Sequence, residues 1–504
     1  MLPRIPFSST AKAFWISFIL HLLVLLPILI ADRFIFDDLG RATEGWILWI
    51  NDGRPLTDFV MRLVDLGAPW VDLSPLPQIG ELICYAGLAV LVMRRFQIGS
   101  PTVAALAALP LGLNPFTLEN FARKYDSLPM ALSILCMLLP ILLTRRDPRI
   151  DIIFGAACLI GGLCFYQASL NLFLVFTVVE MVWEQRRGAA VMRLSRLLLT
   201  RALAVLLALF IYRFIAAATV RGPYPTQASA LVLGIGDLPL IAHNLFADWD
   251  FLLSSLPRLY RNLFFGTALL GSFLMIATQV SYARGYLKNT RPLVRTCIFL
   301  VGCFLPILWF AGSTGFLIFL RNSSVVPHFF IGIGGLVASG LILIVQELEI
   351  WKVEPRWQFG LLAPLAYALI MFGVVYGNAV KEQKLYEQRI GTRLVVGLQK
   401  LATAQPYEVV LANGDVGLAP LVVHAAKRFR LIRSLIEIQQ SADSGFFRVG
   451  LRYLGIAVPT RVLDSATANR IDRAATPPVL RDPNFEVYRQ GDQLIVFMKQ
   501  AEGV

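Results

Sequence analysis

Eleven apolar runs constrain this chain more than any other feature: about 13–31, 76–93, 102–118, 129–144, 151–166, 168–183, 197–219, 262–282, 296–313, 326–346 and 359–377. Runs of this kind suit helices that cross a bilayer, because hydrocarbon offers no water to a free backbone N–H or C=O and a helix satisfies both internally. Apolar residues make up 57% of the 504 and charged ones only 16%, with a mean hydropathy of +0.65, which excludes an ordinary soluble domain. The expected fold class is an α-helical polytopic membrane protein with about 11 transmembrane helices.

The net charge of +13 does not point to nucleic acid, since the basic residues fall in short loops between apolar runs rather than on one soluble face. They read as topology signals. Arg94-Arg95, Arg145-Arg146 with Arg149, Arg186-Arg187 with Arg193 and Arg196, the stretch from Arg284 to Arg295, and Lys352 with Arg356 are expected on the cytoplasmic side. Both the second and third clusters reach that side only if the apolar stretch 151–183 turns back at Gln167. The amino terminus is then inside, its first run retained rather than cleaved, as no small-x-small cleavage site follows it. Loops at 32–75, 114–128, 220–261 and 314–325, and everything after 378, then face outward.

Several chemistries are unsupported. The six cysteines lie in apolar runs without CxxC or Cys/His spacing, and His21, His243, His328 and His424 are scattered. No GxxxxGK phosphate loop, Gly-rich nucleotide fingerprint or GxSxG nucleophile occurs. The unusual residues are in the outward loops instead.

Foremost is Phe34-Ile35-Phe36-Asp37-Asp38-Leu39-Gly40-Arg41, directly after the first apolar run, at the start of a loop of about forty residues. Two adjacent carboxylates there are costly to dehydrate and belong in a wet cleft or against cations. Asp37 and Asp38 are the candidate catalytic residues, and a Mg²⁺ or Mn²⁺ site on the pair is open. The bland alternative is that one Asp caps a helix marked by Leu39, Ala42, Trp46 and Trp49, with Arg41 and Glu44 pairing three residues apart on its flank. Arg41, Arg54, Glu119, Asn120, Lys124, Asp126, Tyr166 and Gln167 are candidates for sugar or acceptor contacts. Arg213, Arg258, Arg261 and Arg321, in or at the outer ends of apolar runs, either snorkel or hold a phosphate.

Outward acids, a lipid-facing body and arginines without a nucleotide site suit transfer of a sugar from a lipid-phosphate donor. A carboxylate deprotonates the acceptor hydroxyl, and arginines hold the departing phosphate, which needs no general acid. One base then gives inversion.

The motifs Phe36-Asp37-Asp38-Leu39-x-Arg41, Gly53-Arg54-Pro55-Leu56, Ser74-Pro75-Leu76-Pro77-Gln78, Leu118-Glu119-Asn120-Phe121 with Lys124-Tyr125-Asp126-Ser127-Leu128, and Tyr166-Gln167-Ala168-Ser169 resemble those of the glucosyl transferase II family, the O-antigen-modifying, serotype-converting membrane glucosyltransferases with a GT-C-like body. The resemblance covers about 34–170 by motif and the rest by span pattern. It implies transfer of glucose or a related hexose from undecaprenyl-phosphate-sugar to a surface glycan on the periplasmic side of a bacterial inner membrane, with the family's acidic pair falling on Asp37 and Asp38.

Residues 1–377 are expected to form the transmembrane glycosyltransferase domain, with its first outer loop at 32–75, and 378–504 a small α/β domain outside. In the latter, 380–403 suits an amphipathic helix and 408–412 and 494–498 suit strands, with a turn at Gly491-Asp492. A polyprenyl-lipid or polysaccharide transporter and a non-catalytic envelope scaffold are the rival readings; a transporter favours internal repeats and broken mid-membrane segments, and neither is evident.

Overall fold

In a computed structural model of the chain, residues 6–500 are described apart from 68, 146, 229, 233, 286–291, 323–324, 443–445, 457 and 469–476. Arg146 and the middle of the basic loop between Arg284 and Arg295 therefore lie outside the described residues.

Eight described helices are long and apolar enough to span a membrane: Phe7–Ala31, Leu76–Phe96, Pro148–Phe165, Val191–Thr219, Arg258–Gly285, Arg295–Thr314, Ile331–Ile350 and Pro355–Ala404. The three other expected spans take different forms. That at 102–118 is a pair of helical segments, Pro101–Leu111 and Pro115–Ala122, bent by 56° and counting as a ninth span if taken as one. Asn114-Pro115 makes the bend, since proline disfavours helical geometry in the residue before it. Those at 129–144 and 168–183 are the shorter helices Ser127–Leu142 and Leu170–Arg186. The stretch 151–183 does divide, at Tyr166, where the backbone is extended and the Tyr166 amide closes the preceding helix on Gly162 O.

The Ile331–Ile350 helix is the axis of the bundle, buried along nearly its whole length. Glycine permits this closeness, for a Cβ at Gly334 would run into the carbonyl of Pro110. By contrast Val191–Thr219 is mostly exposed and carries Leu206, Phe210 and Phe214 outward, as a lipid-facing helix should.

Polar contacts collect at the two ends of the bundle. At one, Arg201 donates to Glu180 and Asp151, Arg95 to Glu180 and Glu184, and Arg193 pairs with Glu184, so each buried charge has an opposite neighbour. The other end gathers the described parts of 32–75, 114–126, 166–169 and 316–330 with the described carboxy-terminal part.

The expected break near 377 falls inside a helix. Pro355–Ala404 runs 50 residues without interruption, about 75 Å at 1.5 Å per residue and far longer than a bilayer core of about 30 Å. The apolar span and the amphipathic segment join because nothing from Tyr376 to Val380 breaks a helix beyond the single Gly377. Its far half packs against a five-stranded sheet of β1 (Val409–Asn413), β2 (Thr460–Val462), β3 (Leu480–Asp482), β4 (Phe485–Gln490) and β5 (Gln493–Met498) in the order β2-β1-β5-β4-β3. β1 runs parallel to β2 and β5, and β3, β4 and β5 are antiparallel. Leu418, Val422, Leu431, Ile432 and Leu435 belong to the core of the helical bundle instead, so this carboxy-terminal part is sewn into the body.

Candidate active site

Asp37 and Asp38 open a helix of eight residues, Asp37–Glu44. Carboxylates in a first turn face the positive end of the helix dipole. Neither acts as a side-chain cap: the residue at the cap position is Phe36, held at φ 51°, and no side-chain cap bond forms. The helix is shorter than its apolar spacing predicts, because Gly45 at φ 69° closes it on the carbonyls of Arg41 and Gly40. Trp46 and Trp49 consequently lie beyond it. Glu44 turns away from Arg41 to meet Arg448 at 3.0 Å and Arg452 at 2.8 Å.

Arg41, almost fully buried, is the hub. Its guanidinium donates to Asp126 Oδ2 at 2.8 Å and reaches Asp38 Oδ1 and Asp37 Oδ2 at 3.4 Å each, with its plane 4.4 Å from the Trp49 ring. Trp49 Nε1 donates to the other oxygen of Asp126 at 2.6 Å. Burial opposes ionisation of Asp126, but Arg41, Arg123 and Arg54 with the Trp49 bond hold its carboxyl below the usual range. Asp38 differs. It has no exposed side-chain surface, and burial outweighs Arg41 and lifts it to about 6, although it accepts the Lys124 amide at 2.8 Å. Asp37 alone of the three reaches solvent, with its side chain 33% exposed.

A second ring surrounds this hub. Buried Arg123 reaches Glu119 at 3.3 Å and stacks 4.4 Å over the Phe36 ring, and His328 Nδ1 meets the same Glu119 oxygen. Arg54 lies 4.7 Å over Tyr166 and has no carboxylate in ion-pair reach among the described residues, its Nε buried without a partner. Gln167 donates to Asp52 O at 2.9 Å and Tyr212 Oη at 2.7 Å, pinning the first loop to the helix break. Asn120 is buried with both side-chain polar atoms unpartnered. Lys124 Nζ pairs with Asp32 and Asp72.

The carboxy-terminal part grips the approach to the acidic pair. Glu437 accepts the Phe36 amide at 2.7 Å, directly before Asp37, and Gln439 donates to Phe34 O. Arg33 donates to Glu387 at 2.8 Å and to Glu437 O at 2.7 Å. Burial raises Glu437 to about 7. Sequence reasoning missed Glu437, Gln439 and His328, which stand far from the acidic pair in sequence, and Arg33, which directly precedes the stretch 34–41 but whose partners Glu387 and Glu437 are remote.

The structure brings Asp37, Asp38, Arg41 and Asp126 into one hydrogen-bonded cluster and sets Arg54, Glu119, Lys124, Tyr166 and Gln167 around it. The other four arginines stand apart, none bonding to the cluster among the described residues. Arg213 and Arg258 are exposed, Arg261 donates to Leu253 O at 3.3 Å, and Arg321 lies 3.8 Å from Asp237. A metal does not fit the acidic pair as it stands, because the Arg41 guanidinium already occupies the position between the two carboxylates. Among the described residues no group of three or more His, Cys, Asp or Glu could hold a metal ion.

The chain matches the family described as glucosyl transferase GtrII over residues 26–339, which takes in the acidic pair, Asp126 and His328. It belongs to the GtrII family. Membership makes it a membrane protein of a glucosyltransferase family associated with O-antigen modification. It is also 26% identical over 443 residues to an uncharacterized 55.3 kDa protein in the gtrB 5′ region of Salmonella phage P22, covering 85% of this chain and 87% of that one. No solved structure matches. The GtrII match ends inside the Ile331–Ile350 helix, so Glu437 and Gln439 lie beyond it.

Proposed function

We propose that this chain moves a glucosyl residue from an undecaprenyl-phosphate-linked donor to an O-antigen or related surface glycan, with inversion, at the periplasmic face of the bacterial inner membrane. The carrying observation is the graded exposure of the acidic cluster: Asp37 is 33% exposed while Asp38 and Asp126 are buried and paired. Asp37 is then the base. It takes the proton of the acceptor hydroxyl as that oxygen bonds to the anomeric carbon, and the bond from that carbon to the lipid phosphate breaks. Arg41 is a positioning residue that aims the Asp37 carboxylate, with Asp126 and Trp49 fixing its guanidinium.

The departing phosphate needs a cation with spare donors. Arg54 suits this better than Arg213, Arg258, Arg261 or Arg321, because it stands beside the cluster, half-buried and without a paired carboxylate among the described residues. The bonds from Glu437 and Gln439 to the first loop support a periplasmic carboxy-terminal domain, on the same side as the acids.

Purified protein in sealed proteoliposomes, given labelled polyprenyl-phosphate glucose and lipopolysaccharide, is expected to label the lipopolysaccharide. Movement of the intact donor across the bilayer without transfer would support the transporter reading and sink this one.

A further inference from the structure

Beside the acidic cluster lies a second feature, a cleft of about 250 Å³ between the first loop, the long helix and the carboxy-terminal part. Its charged lining is Asp32, Arg33, Asp72, Lys124, Lys384 and Glu387. The three positive and three negative groups cancel, and they are already matched: Lys124 with Asp32 and Asp72, Lys384 with Asp32, and Arg33 with Glu387. No cation is left over for a phosphate.

The remaining chemistry is amide and aromatic. Gln388, Gln439 and Gln440 line the cleft, and the rings of Phe34 and Tyr453 meet edge to face 6.2 Å apart at its wall, Tyr453 being exposed. Primary amides donate and accept at once, as hydroxyls require, and an exposed ring covers the apolar C–H face of a pyranose. The cleft also reaches the immediate neighbours of the acids. Leu39, next to Asp38, is part of its lining, and Lys124 presents Nζ to it while giving its amide to Asp38.

We propose that this cleft binds the uncharged glycan acceptor, with Gln388 and Tyr453 as recognition residues, so that the carboxy-terminal part selects the acceptor while the helical body holds the donor. The proposal rests on the transferase reading. It assigns donor and acceptor to different sides of the acidic pair: the neutral cleft for the glycan, the Arg54 and Tyr166 side for the lipid phosphate.

The test is steady-state kinetics with an O-antigen oligosaccharide as acceptor, comparing wild type with Gln388→Ala, Tyr453→Ala and the double variant. Losing two such contacts is expected to raise the acceptor KM by about tenfold or more, with donor KM and kcat nearly unchanged, which a merely structural defect would not produce. An unchanged acceptor KM in the double variant overturns the assignment while leaving the transferase reading intact. If wild type transfers nothing, that reading fails instead. Saturation-transfer NMR then decides the cleft alone: binding of the oligosaccharide lost in the double variant upholds it, and binding kept refutes it.

Discussion

Arg41 Nη1 stands 2.8 Å from Asp126 Oδ2, a bond between residues 85 apart in sequence that joins the first long loop to the segment before Ser127–Leu142. Both partners are buried, and Asp38 and Asp37 lean on the same guanidinium. Replacing Arg41 by Met leaves three carboxylates without their shared cation. The expected cost is about 3–5 kcal/mol, the scale for stripping one partner from a buried pair. Arg41→Lys is expected to rescue little, since a point charge cannot reproduce a fork bridging several acids. Thermal unfolding in detergent of Arg41→Met, Asp126→Asn and the double variant checks this, with a strongly non-additive cycle as the expected result.

The pH dependence follows from two raised carboxyls. Burial lifts Glu437 from 4.5 to about 7 and Asp38 from 3.8 to about 6. Between the ordinary and the raised values the folded chain holds protons that the unfolded chain has released, so stability falls as pH rises through that window and levels off above about 7. Asp126 works in the opposite sense at lower pH, where its contribution is lost as pH falls from 3.8. Unfolding followed from pH 4.5 to pH 7 should therefore show a decline in wild type. Glu437→Gln, which keeps an acceptor for the Phe36 amide, should make it shallower and leave the part due to Asp38.

At the far end of the bundle Arg201 bonds Glu180 at 2.8 and 2.9 Å and Asp151 at 2.9 Å. Arg201→Met is expected to destabilise by about 3–5 kcal/mol, because it strips buried Asp151 of its cation and leaves Glu180 with Arg95 alone. Turnover per folded molecule should stay at the wild-type level. A radiolabel assay normalised to the monodisperse fraction separates the two effects.

For the donor, Arg54→Ala is expected to raise the KM for polyprenyl-phosphate glucose by about tenfold or more, the scale for losing a charge-assisted hydrogen bond. Arg213→Ala, at an exposed position, should leave it unchanged. Equal effects from both would remove the reason for preferring Arg54.

What could be read from sequence is what is local. Apolar runs mark their helices because hydrocarbon demands them, and Asp37, Asp38 and Asp126 stand out because carboxylates beside such runs need an explanation. The strand and turn pattern around Phe485–Met498 is likewise short-range. Glu437 could not be found that way: 401 residues separate it from Phe36, and its single bond to that amide leaves no periodic or spacing trace. The same holds for the meeting of His328 with Glu119, although Glu119 itself stands out as a candidate. The Trp46 and Trp49 error has a different cause, since the helical spacing is real but Gly45 stops the helix first, and Trp49 turns inward to Asp126.

The central claim is that Asp37 removes the acceptor proton. Asp37→Asn keeps the shape and the helix start while abolishing the base, so the measurement is transfer of labelled glucose by Asp37→Asn and Asp38→Asn at matched expression, with folding checked by size-exclusion profile. The account predicts that Asp37→Asn loses about 10²–10⁴-fold in rate while remaining monodisperse, and that Asp38→Asn, buried and held by backbone amides, loses less. Full transfer by Asp37→Asn would contradict it.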